Sequence, residues 1–176
     1  MAASQAEARE PEASAPFLKD ASTVLIREKT PREAHDVFQR ALRAGKAGLC
    51  ITRAYPKKVR ERFGDADFRI IWLSNVGKEN AVRPKDLEKL SLSVEQFLSG
   101  RGSVILIDGI EYLVTNNNFI TVLRLVQAIR DRVAIHGATL LLSVNPSALD
   151  AHQMTLLEAE VDKVIEGVAG STTRPP

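Results

Sequence analysis

The stretch Gly102 to Leu113, GSVILIDGIEYL, decides how this chain is read. Ser103 to Ile107 carry no charge, and Asp108-Gly109 closes the run. A short apolar run ended by turn residues predicts a strand buried on both faces, the usual state of a central strand in a parallel sheet. An acidic residue at the carboxyl end of such a strand stands where open α/β sheets bind ligands. Asp108 is therefore the first candidate for chemistry.

Working outward, similar runs alternate with helical patterns. Before the central run come Thr23 to Ile26, Ala47 to Thr52 and Phe68 to Leu73; after it come Ala138 to Val144 and an edge strand over Val161 to Ile165. Between the first two, Thr30-Pro31-Arg32-Glu33 predicts a helix start, with Thr30 as N-cap, Pro31 at the first helical position and Glu33 closing a capping box. Ala34, Val37, Phe38, Ala41 and Leu42 then fall on one helical face. Pro56 opens a short helix carrying Val59 and Phe63, and Pro84 opens another carrying Leu87, Leu90, Val94, Phe97 and Leu98. Ser74 to Arg83 reads as a polar loop. Tyr112 to Asn117 reads as a linker or helical turn. Asn118 caps a long helix striped by Phe119, Val122, Leu123, Val126, Ile129 and Val133. Leu149 to Glu160 is mostly helical. The alternation predicts a three-layer α/β fold, a mostly parallel sheet with helices on both faces.

The totals set bounds. The 176 residues suit one domain, expected over 21–168, with a disordered tail over 1–20 and a loose tail over 169–176. Formal net charge is +2, which makes no global case for nucleic acid or an anionic membrane. No apolar run approaches the ~20 residues of a membrane span. Nothing at the N-terminus resembles a secretory signal. The single cysteine, Cys50, forms no internal disulfide, which fits a cytoplasmic setting.

With those elements in place, the chain resembles the archaeal members of domain-of-unknown-function family 835. The segments GKAGLCITRAYPKKVRERFG, FRIIWLSN, SVILIDGIEYLVTNNNF, LLLSVNPSALD and LLEAEVD carry the resemblance and cover most of residues 22–165. The order of elements is also similar to the RecA-like ATPase core of the circadian-clock protein and bacterial recombinases. That second resemblance implies fold more than function. In the ATPase pattern, Asp108 falls on the Walker-B-like position that orders magnesium through water. A phosphate loop should follow the first strand as GxxxxGK[ST], its backbone N–H groups facing phosphate. Here that place reads Arg27-Glu28-Lys29-Thr30-Pro31-Arg32-Glu33, without a glycine. Glu28 and Glu33 would repel a triphosphate. Arg53 and Ala54 stand where a catalytic carboxylate would follow the second strand. The resemblance thus implies a RecA-like module without a phosphate loop, non-catalytic and with no cofactor. It would act in signalling through a protein partner or self-association.

The candidate ligand residues are those at the strand carboxyl ends: Arg27, Lys29, Arg53, Asn75, Asp108 and Asn145. Asp108 has a plainer reading beside its functional one, since Asp-Gly is a common turn pair and Asp caps helices. Glu111 could share its helical face. Arg53, Lys57, Lys58, Arg60 and Arg62 form a basic segment, read first as a solvated face, as charge runs usually are, and only second as an anion site. Tyr55 reads as the only aromatic near it, too little for a nucleic-acid platform. Binding of a nucleotide or phosphometabolite near Asp108 and Arg53 is the alternative reading, and nucleic-acid binding through Arg53 to Arg62 the next. His35, His136 and His152 are scattered and match no metal-ligand spacing. Cys50, inside a strand, reads as a buried hydrophobe.

Overall fold

A computed structural model describes residues 18–100 and 102–167. The calls on the tails fall outside these residues, except at 18–20. There Leu18 packs on the core and Asp20 pairs with Lys46 Nζ at 2.6 Å, so the ordered unit begins earlier than residue 21.

Among the described residues seven strands form one parallel sheet: β1 (Thr23–Arg27), β2 (Ala47–Thr52), β3 (Phe68–Leu73), β4 (Ala81–Val82), β5 (Ser103–Ile107), β6 (Thr139–Val144) and β7 (Lys163–Glu166). Their spatial order is β4-β3-β2-β5-β6-β1-β7. The central run is indeed central. β5 lies between β2 and β6, with Leu106 opposite Cys50 and Leu141, and every β5 residue is buried. Because all pairs are parallel, the strand carboxyl ends share one rim.

Six α-helices of the described residues cover the two faces. α1 (Arg32–Arg43) and α2 (Pro56–Phe63) pack on one, burying Ala34, Val37, Phe38, Val59 and Phe63 against Ile26, Cys50, Phe68 and Leu106. α3 (Leu87–Phe97), α4 (Ile110–Asn116), α5 (Phe119–Ile135) and α6 (Ala151–Glu158) pack on the other. The β1-to-β2 connection passes over β6 and β5, so α1 crosses the middle of the sheet. Gly48 makes that crossing close: a Cβ there would lie 2.9 Å from Phe38 Cζ. α2 carries Lys57 and Lys58 in its first turn with no acid, unfavourable to its dipole by about 0.3–1 kcal/mol each. Burial of Val59 and Phe63, about 1.5–3 kcal/mol each, outweighs this.

Two local expectations are corrected and a third is resolved. Thr30 does not cap α1, and Pro31 is the N-cap residue rather than the first helical one; no side chain of the expected capping box closes the end. The loop Ser74 to Arg83 contains β4, formed when a turn through Asn80 (φ 66°) brings Ala81 beside Trp72. Of the two readings of Tyr112 to Asn117 the helical one holds: Tyr112 to Asn116 lie in α4, which begins at Ile110, and Asn117 is its C-cap residue.

Candidate functional site

The carboxyl rim gathers the ends of β1, β2, β5 and β6 around the first turn of α1. The first N–H groups of any helix lack partners within it, and its N-terminus carries partial positive charge. In an ATPase of this topology that turn seats phosphate. Here Glu28, the residue after β1, occupies it. Its Oε2 accepts from Glu33 N at 2.8 Å, and its Oε1 accepts from Ala34 N at 3.2 Å and from Ser143 Oγ at 2.7 Å. Glu28 is only 8% exposed. Gly167, after β7, closes over it, since a Cβ there would lie 2.6 Å from Glu28 Cβ. The expectation that Glu28 repels an anion was incomplete: Glu28 is itself the anion bound at α1.

Asp108 neither caps α4 nor faces Arg53. Gly109 is the α4 N-cap residue and has no side-chain bond. The Asp108 carboxylate, 4% exposed, instead meets His35 Nε2 at 2.8 Å beneath α1. His35 is therefore not a stray histidine. It sits in the first turn of α1, edge-on to Phe63 at 5.3 Å between centroids, and its Nδ1 is buried without a partner. Cys50 is fully buried on the same face; burial first, and the Asp108 charge second, push its thiol well above the usual range. Glu111, on α4, accepts from Asn145 N at 2.5 Å. Burial raises its carboxyl above the usual glutamate range; hydrogen bonds from backbone N–H groups oppose the shift, and Asp108 adds a smaller upward push.

The other predicted residues are mostly engaged. Arg27 pairs with Glu158 at 2.7 Å and lies 3.3 Å from Glu166, tying β1 to α6 and β7. Asn145 accepts from Ser147 N at the turn after β6. Lys29 and Asn75 are exposed. Arg53 lies over the Tyr112 ring at 4.4 Å and donates to Leu73 O, while Trp72 Nε1 donates to Arg53 O at 3.3 Å. Trp72 in turn meets Tyr55 edge-on at 5.4 Å. The expectation that Tyr55 is the only aromatic near the basic segment is thus corrected: Trp72 and Tyr112 join it around Arg53, and Phe68 lies under Arg60. The basic segment itself is dispersed. Arg60 lies over Phe68, Arg62 reaches Asp36 at 4.0 Å, and Lys57 and Lys58 point to solvent. Among the described residues no cluster of three or more His, Cys, Asp or Glu could hold a metal.

Glu28 and His35 organise the site, and each has a signal in the sequence. A carboxylate directly after the first strand, before a helix with no effective cap of its own, is the signal for the first. A histidine between Ala34 and Val37 on the buried stripe is the signal for the second.

A parallel seven-stranded sheet with a crossover helix over its centre and an acid at the end of the middle strand defines a RecA-like α/β protein. Solved structures agree on that fold. Flagellar accessory protein FlaH from Methanocaldococcus jannaschii is similar at 14% identity and TM-score 0.58, over 87% of this chain and 74% of that one. The KaiC-like protein PH0186 from Pyrococcus horikoshii OT3 is similar at 13% identity and TM-score 0.62, over 84% and 72%. No curated protein matches. The family described as "Protein of unknown function (DUF835)" matches residues 27–161, and the chain belongs to it. Among the described residues no helix is long and apolar enough to cross a membrane.

Proposed function

We propose that this chain is a non-catalytic RecA-like module that acts by binding another protein or a second copy of itself. The observation that carries the reading is the Glu28 carboxylate in the first turn of α1, held by two backbone N–H groups and Ser143. A phosphate entering there would have to displace a buried carboxylate and leave it unpaired, a cost of several kcal/mol. The engagement of Asp108 with His35 supports the same reading, because it leaves the middle strand's acid directed under α1.

Thermal unfolding with a panel of magnesium nucleotides and phosphometabolites tests the claim. Binding at 100 times the dissociation constant would add about 2.7 kcal/mol of stability. No shift is expected. A shift abolished by Asp108→Ala would overturn the reading.

One observation favours a second reading, single-stranded nucleic acid at the rim. Tyr55 and Trp72 meet beside Arg53 and the solvent-facing Lys57 and Lys58, a pairing of cations with stacking groups. Trp72 is the only tryptophan, so its fluorescence reports on this surface. Salt-dependent quenching by an oligonucleotide would favour it, and unchanged emission would remove it.

A further inference from the structure

The sheet is finished at one end by a strand too short to cover its neighbour. β4 pairs only with Trp72 and Leu73 of the six-residue β3. Trp72 N donates to Asn80 O at 2.8 Å and Ser74 N to Val82 O at 3.0 Å. Successive residues of a strand direct their backbone groups to opposite sides. Phe68 and Ile70 therefore present N–H and C=O on that same outer side, beyond the reach of β4. Arg69 and Ile71 face β2 instead.

A groove of about 360 Å³ runs along this bare edge. Its floor is β3, and α3 supplies one wall through Lys89, Ser93 and Phe97. Arg60 of α2 stands on the other side. Arg60, Arg69 and Lys89 line it, and no Asp or Glu does. Arg60 lies over the Phe68 ring at 4.6 Å and Arg69 is 6.0 Å from the Phe97 ring centroid. Among the described residues none of these three cations pairs with a carboxylate. Of the acids around it, Asp86 caps α3, accepting from Lys89 N, and Glu95 pairs with Arg132.

From this juxtaposition we propose that the β3 edge is a docking groove for an extended, acidic segment of a partner protein, which adds a strand to the sheet. Backbone pairing with Phe68 and Ile70 would provide affinity, and alternate side chains would meet the cations. The charges select the occupant. An acidic strand gains from three cations, whereas a second copy's β3 edge would bring its own Arg69 and Arg60 against them. Cations also guard exposed edges against chance pairing, and that simpler role is what the experiment must separate. The inference rests on the binding-module reading but concerns a different surface from the carboxyl rim.

The test uses the full chain and a fluorescein-labelled peptide of alternating valine and glutamate, with a valine–lysine peptide as control. Saturable binding of the acidic peptide alone is expected, with slowed exchange of the Phe68 and Ile70 amides. Lys89→Glu should weaken it by about tenfold or more, as like charges meet across the interface. Ile70→Pro, which removes the outward N–H together with a side chain buried in the core, should do the same. Lys89 is exposed, so its variant keeps the test valid should the proline variant misfold. Absence of binding, or binding indifferent to Lys89→Glu and without protection at the two amides, would overturn the proposal. So would protection of those amides by self-association alone. A nucleotide-dependent stabilisation would instead strike the non-catalytic reading and leave the groove's result to stand separately.

Discussion

The β1–α1 corner and the β3 edge solve opposite problems. At the corner, backbone N–H groups that could face a ligand are satisfied by Glu28, five and six residues away in sequence, with Ser143 completing the set. At the edge, backbone groups of β3 are left without a partner among the described residues, because β4 stops after two residues. In a RecA-like sheet the carboxyl rim is the usual place to look for chemistry. Here much of the rim's polar equipment is turned on itself: His35 on Asp108, Glu111 on Asn145, Arg27 on Glu158. Unspent hydrogen-bonding capacity lies at the side of the sheet. The lesson is that the location of polar residues matters less than whether their partners are already inside the protein.

The largest effect should come from emptying the corner. Glu28→Ala leaves the Glu33 and Ala34 amides and the Ser143 hydroxyl without their acceptor, and should cost about 2–4 kcal/mol in chemical denaturation, as buried unsatisfied donors do. Glu28→Gln keeps an acceptor and should recover a good part of that. If both variants unfold like the parent, the seat is not held by Glu28 and the contrast with the edge collapses.

Next comes the buried pair. Asp108→Ala and His35→Ala should each cost about 1–3 kcal/mol. Their double mutant should cost less than the sum, with a coupling of about 0.5–3 kcal/mol. Strict additivity would mean that the two side chains do not act together.

Glu111 sharpens the comparison through pH. Its carboxyl is raised, chiefly by burial, so the folded protein holds this proton more tightly than the unfolded chain. Stability from this group is present below its unfolded value and is lost as pH rises through the folded one. Glu111→Gln should therefore be more stable than the parent at neutral pH, by about 1 kcal/mol or less, with the advantage fading on acidification. Denaturation midpoints across pH 3 to 7 would check it, as roughly the span over which a raised glutamate titrates. A constant difference over that span would contradict it.

The smallest effect belongs to the open edge. Arg69→Ala should change stability within about 0.5 kcal/mol, since among the described residues only the Phe97 ring, 6.0 Å away, meets the guanidinium. A larger loss would show the edge to be structurally closed.

The strands and long helices were legible because a strand buried on both faces leaves a contiguous apolar run, and α5 leaves both a stripe and the Asn118 cap. β4 was not legible: two residues, Ala81 and Val82, carry no period, and their place depends on the turn at Asn80. The candidate site was read in its chemistry but not its pairings. Asp108 and His35 are 73 positions apart, and Glu28 and Ser143 are 115 apart. Such contacts arise from a crossover over two strands, and no local spacing records them. Arg53 and its ring of aromatics tell the same story, since Tyr112 and Trp72 reach it from α4 and β3.

Amide hydrogen exchange at four positions tests the central contrast most directly. Glu33 and Ala34 lie in a helix first turn, where amides ordinarily exchange quickly for lack of a partner. With Glu28 accepting from both, they should be protected nearly as well as the core. Phe68 and Ile70, though in a core strand, should exchange faster than Arg69 and Ile71, which face β2. Fast exchange at Glu33 and Ala34, or strong protection at Phe68 and Ile70, would contradict a sealed corner and an open edge.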